Sequence, residues 1–257
     1  MRRRGPSRPA LLAALLLAAA GTAGSARAQA DGNGDDAVVH DPWEGMNRGI
    51  FGFNEGLDRW ILEPVAKGWD FVVPDEVEKA IRRFYTNLGF PVVFVNDLLQ
   101  GKPVAAAQDV GRFVLNTTAG GLGFFDPATD VGLPAHDEDF GQTLGVWGVP
   151  AGPYLVLPLL GPSSPRDTGG MAVDAASRVY SWFLPFFVNA GLYGVNVVNR
   201  RSGLLETIAE ERKAALDFYA AVRNAYVQAR ENQVRDRQPK DEESDEDLYY
   251  LDVDDLE

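Results

Sequence analysis

Cysteine is absent from the 257 residues. That removes disulfides, thiol nucleophiles, iron–sulfur clusters and cysteine-based metal sites together. It also removes the residue on which a lipoprotein carries its acyl chains. Positive charge is scarce: 24 Lys and Arg stand against 37 Asp and Glu, for a formal net charge of −13. An electrostatic nucleic-acid binder needs a broad basic face, so no nucleic-acid partner is expected. Histidine occurs twice, as His40 and His136, and no HExxH spacing accompanies either. The hydrolase elbow GxSxG is missing. Gly120-Gly121-Leu122-Gly123 is too short, and follows a helical stretch, so it is no dinucleotide loop. Asp126, Asp130, Asp137, Glu138 and Asp139 lack the alternating ligand spacing of an EF-hand and read as solvated loop acids that cap short helices. Glu55 and Asp58 are spaced for a solvated helix face. The residues alone point to no catalytic group, metal or cofactor.

Residues 1–30 have three parts: arginines 2, 3, 4 and 8, an Ala/Leu run over 10–20, and the small residues Ala28 and Ala30. This is the pattern of a cleaved secretory signal peptide. Eleven apolar residues make only about 16 Å of helix, against a hydrocarbon core of about 30 Å. Its removal takes five arginines and moves the net charge from −13 to −18. Half of that lies in residues 240–257, where ten acids face Lys240. Like-charge repulsion predicts a disordered acidic tail over 239–257. Residues 31–40, rich in Asp and Gly, read as a flexible lead to a helical domain over 41–238.

Asp41-Pro42-Trp43-Glu44 is a helix start, with Asp41 as cap and Glu44 completing a capping box. Met46, Ile50, Phe53, Leu57, Trp60 and Ile61 follow at helical spacing, to an end or kink near Pro64. A second helix from Pro74 should bury Val77, Ala80, Ile81 and Phe84. A third, from Pro91 to Gln100, is apolar nearly all round, so it is fully buried or meets lipid, and its β-branched run makes a strand the alternative. A fourth opens at Pro103 and runs to about Leu115. Residues 120–141 read as a loop or hairpin. Residues 140–165 carry no charge, yet five prolines and five glycines forbid a regular span. Gly152 onward suits a turn and a short extended piece over Tyr154 to Leu157. Residues 181–199 are uncharged and broken by Pro185, Gly191 and Gly194. A final, longest helix is expected from Gly203 to about Arg235, with Leu205, Ile208, Leu216, Tyr219, Val222 and Tyr226 inward. The sum is a mainly α protein. Five tryptophans and 14 phenylalanines, with apolar segments too broken to span, suit a body lying in one leaflet as well as an ordinary core.

Several stretches resemble one family. Asp41-Pro42-Trp43-Glu44-Gly45-Met46-Asn47-Arg48 with Phe53-Asn54, then Pro91 to Gly101, then Arg112-Phe113-Val114-Leu115-Asn116-Thr117 are similar to segments of the MlaA (VacJ) proteins. The most specific is Phe140-Gly141-Gln142-Thr143-Leu144-Gly145-Val146-Trp147-Gly148-Val149, followed by Gly152 to Pro158, Gly161 and Arg166-Asp167. The final helix matches in Asp217, Tyr219, Arg223, Ala225-Tyr226 and Arg230. The likeness covers about 41–232.

The resemblance implies a ring of amphipathic helices with a short extended or hairpin segment, lying in the periplasmic leaflet of the outer membrane. It implies a channel through which phospholipids misplaced in the outer leaflet descend to a periplasmic lipid carrier, and association with an outer-membrane porin trimer. It implies no enzyme and no cofactor. The competing readings are a lipid-hydrolysing enzyme using loop acids and His136, and a porin-binding scaffold without a lipid path. The usual member is anchored through acyl chains on its first mature cysteine; here Leu17-Ala18-Ala19-Ala20-Gly21 leads to Thr22. A lipid path must accept a headgroup through hydrogen-bonding, uncharged groups. Asn116, Thr117, Thr118, Gln142 and Thr143 flank glycine-rich loops and are candidates. Phe53 and Asn54 lie in the dense first motif, and Tyr154, Leu155 and Leu157 can line or plug the ring.

Overall fold

The computed structural model describes residues 39–236. The expected signal peptide, most of the flexible lead and the acidic tail lie outside the described residues. Eleven helices and one hairpin follow in order: α1 Glu44–Leu57, α2 Glu63–Val72, α3 Asp75–Leu99, α4 Pro103–Thr118, α5 Pro127–Asp130, α6 Phe140–Val146, β1 Leu155–Leu157, β2 Gly161–Ser163, α7 Pro165–Ser177, α8 Tyr180–Phe183, α9 Phe186–Ser202, α10 Leu205–Ala214 and α11 Phe218–Val234. The class is mainly α, as expected. No described helix is long and apolar enough to cross a membrane.

The packing closes on itself. α3 lies against α9, α9 against α2, and α2 joins α1 through a π-helical turn, Asp58–Leu62. α1 packs on β1, β2 on α11, α11 on α6, and α6 and α7 return to α3. The circuit is dressed inside out. Among the described residues, 19 polar or charged side chains are buried, against 12 apolar ones. Thirty-three large apolar side chains of the described residues are exposed: Trp60 is 85%, Phe71 89% and Phe186 87% exposed. A protein folded by water would reverse this distribution.

That inversion explains several departures from the sequence expectations. Val77, expected inside, is exposed, whereas Glu78 is buried beside it. The apolar run after Pro91 turns Val95, Leu98 and Leu99 outward and hides Asn96 and Asp97. It is no separate helix and no strand: α3 runs 25 residues straight through Pro91. An internal proline costs a helix about 3 kcal/mol, which packing along α4, including the Phe90–Phe113 stack at 4.4 Å, outweighs. α4 ends at Thr118 rather than Leu115.

Near Pro64 the helical backbone does not end. The π turn absorbs the residue that cannot donate, and Glu63 N–H reaches back to Asp58 O. The expected helix over 203–235 is two helices, because Asp217 caps a new one by accepting from Ala220 N. Leu216, expected inward, is fully exposed in the joint. Gly191 and Gly194 do not break α9. Asp41 does not cap α1; it accepts from Asn47 and Tyr219 instead.

Candidate functional site

Lys79, Arg82, Arg83, Thr86, Asn87, Phe90 and Val93 recur every three or four residues along α3 and therefore share one face. That face grades from cations through hydrogen-bonding groups to apolar ones. Asp109, Arg112, Phe113 and Asn116 of α4 stand opposite, at the same helical spacing. Asp126, Ala135 and His136 close the wall from the following loops. Between them lies a cavity of 330 Å³. A second cavity, of 300 Å³, adjoins it and shares Arg83 and Asp126.

Four cationic side chains and two carboxylates line the larger cavity, so its formal charge is positive in a chain whose total is −13. Their commitments differ. Arg112 is spent: it donates to both oxygens of Asp126 at 2.9 Å and to Leu133 O at 2.5 Å. Asp126 also accepts from Asn116 Nδ2 at 2.9 Å. Burial works to raise the Asp126 pKa, but the hydrogen bonds from Thr129 and Asn116 and the charge of Arg112 prevail and hold it below the usual carboxylate range. Lys79 reaches Glu76 at 2.6 Å on the exposed surface. Arg82 Nη1 lies 3.6 Å from Glu78 Oε2, a charge contact too long for a hydrogen bond.

Behind the cavity Asp97 is fully buried, and neither carboxylate oxygen receives a donor. Its pKa is pushed up to about 8, first by burial and then by the neighbouring Asp109 and Glu138 carboxylates, against the pull of Lys102. A protonated Asp97 can donate to Asp109, whose Oδ2 also lies 3.2 Å from His136 Nδ1.

A second polar centre joins the C-terminal helix to the middle of the chain. Arg230 of α11 donates to Asp139 at 2.7 and 3.2 Å and to Asp167 at 3.2 Å. Asp167 further accepts from Arg166, Ser164 and Tyr226. Asp139 caps α6 by accepting from Gln142 N at 2.8 Å. Gly141 and Gly170 let α6 and α7 meet here; a Cβ on Gly170 would sit 2.5 Å from Gly141 N.

The hairpin is held differently. Asn47 donates to Tyr154 O at 3.0 Å and accepts from Val156 N at 2.9 Å. One heptad on, Asn54 donates to Leu157 O and accepts from Leu159 N, both at 2.9 Å. Two amide side chains on one helix face thus pair with β1 as a neighbouring strand would, and cover its open edge.

The ten expected path residues fall into three places. Asn54, Tyr154, Leu155 and Leu157 belong to the hairpin clamp. Tyr154 is buried against Tyr219 and Tyr226, and Phe53 is exposed on α1. Asn116 lines the cavity, Thr117 accepts from the cavity residue Asn87 at 2.9 Å, and Thr118 bonds back to Val114 O on its own helix. Gln142 and Thr143 are buried in the polar centre; Thr143 donates to Asn96 at 2.8 Å. The acids expected as solvated caps do cap: Asp126 heads α5 and Asp139 heads α6. Glu138 and Asp139, however, are buried. The cationic stripe of α3 escaped the sequence reading because Lys79, Arg82 and Arg83 read as solvated helix surface until α4 stands opposite them.

A model of the MlaA lipoprotein family matches residues 39–233. The intermembrane phospholipid transport system lipoprotein MlaA of Haemophilus influenzae is 37% identical over 206 residues, covering 77% of this chain and 80% of that protein. The protein of the same name from Escherichia coli K12 is 38% identical over 192 residues, covering 73% and 76%. A Rickettsia felis protein is 37% identical over 198 residues, covering 77% and 79%. A solved structure, described as the structural basis for maintenance of bacterial outer membrane lipid asymmetry, superposes with a TM-score of 0.67 at 37% identity, over 76% of this chain and 98% of that one. Motif series, closed circuit and family match agree, and the chain belongs to the MlaA lipoprotein family.

Proposed function

We propose that this protein removes phospholipids misplaced in the outer leaflet of the outer membrane and so maintains that membrane's lipid asymmetry. The reading rests on family membership, and one observation in this chain carries it: the inversion of polar and apolar side chains about a closed circuit of helices. Apolar side chains turned outward belong in acyl chains, and a polar interior gives a headgroup a way through them. With no described helix able to span, the body fits one leaflet.

In this reading the chain is exported by a signal peptide over 1–30 and sits in the periplasmic leaflet. The belt formed by Trp60, Phe71, Trp182, Phe183 and Phe186 holds it there; a porin trimer seats it, and a periplasmic carrier receives the lipid. Asn116 and Thr117 serve the path at the cavity. The hairpin bearing Tyr154, Leu155 and Leu157, with Asn54, braces the ring, as do Gln142 and Thr143 in the interior. No catalytic step and no cofactor enter.

The test is depletion of the protein in its own bacterium, followed by quantification of phospholipid accessible at the cell surface. A rise that is reversed by the wild-type gene is the expected result. An unchanged outer leaflet would sink the assignment.

A further inference from the structure

We propose that the cationic end of the α3 cavity is a phosphate site, at which Arg83 takes the phosphate ester of a phospholipid headgroup during its passage. This rests on the lipid-transport reading and adds to it a residue and a ligand chemistry.

Three observations carry it. First, Arg83 is exposed, lines both cavities, and has no hydrogen-bond or ion-pair partner among the described residues. Most of the described arginines are engaged: Arg112, Arg166, Arg201, Arg212 and Arg230, for example, are bonded to carboxylates. A guanidinium left open at the junction of two cavities is where a planar fork of donors can meet phosphate oxygens. Second, Lys79 and Arg82 share its end of the helix face and add positive charge there. Third, the same face continues through Thr86 and Asn87 to Phe90 and Val93. At 1.5 Å per residue, 79 to 93 spans about 21 Å. That is on the scale of a lipid, with its phosphate at the cations and the start of its acyl chains over Phe90.

Orthophosphate shares the headgroup's chemistry, so the test separates the two. Purified full-length protein in detergent micelles is titrated in separate arms with phosphatidylglycerol, with diacylglycerol and with inorganic phosphate, and binding is read by native mass spectrometry. The variants are Arg83→Glu, Arg83→Lys and, as a charge control at an exposed position, Lys213→Glu. The expected result has four parts. Wild type binds phosphatidylglycerol well above diacylglycerol. Arg83→Glu weakens phosphatidylglycerol at least tenfold and leaves diacylglycerol unchanged. Arg83→Lys retains most of the affinity, and Lys213→Glu retains all of it. Inorganic phosphate does not saturate at millimolar concentration.

Phosphatidylglycerol binding by Arg83→Glu within twofold of wild type overturns the proposal. So does tight binding of inorganic phosphate that acyl chains do not improve. A cell in which Arg83→Glu clears surface phospholipid normally refutes the site while leaving the transport reading standing. A cell in which depletion of the wild type changes nothing refutes that reading instead.

Discussion

Replacing Arg230 by methionine tests whether the polar interior holds this ring together. The guanidinium is 3% exposed and spans two carboxylates on different segments, Asp139 before α6 and Asp167 in α7. Methionine fills much of the volume and supplies no donor. Asp167 keeps Arg166 at 2.9 Å, Ser164 at 2.7 Å and Tyr226 at 2.8 Å, and so remains compensated. Asp139 keeps its bonds from Gln142 but loses this cation. Breaking a buried pair by removing one partner costs about 3–5 kcal/mol. For a folded body of this size, 1 kcal/mol moves the midpoint by roughly 2–4 °C, so the drop should be on the order of 10 °C. Circular dichroism melts in micelles measure it. The double variant Asp139→Asn/Arg230→Met, which also removes the Asp139 charge, should recover part of the loss. A single variant that melts within 2 °C of wild type would refute the reasoning, and so would a double variant that loses the sum of both single losses.

Three further outcomes are expected. Asp97, pushed up to about 8 by burial and its carboxylate neighbours, holds a proton that the unfolded chain has released above pH 4. Stability should therefore fall as pH rises from about 4 to about 8, with Asp174, pushed up to about 6, adding the same sign below pH 6. Denaturant midpoints across pH 5–8.5 should flatten in Asp97→Asn, and an unchanged slope would count against the proton. Asn47→Ala strands Tyr154 O, Val156 N and an Asp41 oxygen, at a cost of about 3 kcal/mol; equal midpoints in urea would contradict it. Serine at Trp60, Phe71 and Phe186 together removes about 1.5–3 kcal/mol of apolar transfer per side chain. The triple variant should partition away from liposomes in flotation assays, and undiminished flotation would remove those side chains from the belt.

The elements were legible in the sequence where local chemistry decides them. Pro103 opens α4, Asp126 and Asp139 head their helices, and Gly152 leads into the hairpin. What stayed hidden was direction. Periodicity tells which residues share a face, but it says nothing of whether that face meets protein or lipid. Val77 therefore read as a core residue and is exposed, and the run that holds Val95 read as either buried or lipid-facing. Local rules also erred where tertiary packing overrides them, as at Pro91 within α3 and Gly191 within α9. The cavity's Asn116 was visible as an uncharged group beside a glycine turn. Arg83 was not, because a lone arginine on a helix reads as solvated surface until a second wall, here α4, faces the same stripe.

The outward apolar belt carries a calorimetric consequence. The heat capacity increment of unfolding arises mainly when apolar groups pass from a dry interior into water. Here many such groups already lie outside, where in the proposed setting they meet acyl chains, and unfolding also exposes buried carboxylate, amide and guanidinium groups, whose hydration lowers heat capacity. In a bilayer the increment should be small for a body of this length, the stability curve correspondingly flat, and cold denaturation displaced far below that of a water-soluble domain. The ring would then keep nearly constant stability across the temperatures its bacterium meets, while the lipid around it changes fluidity.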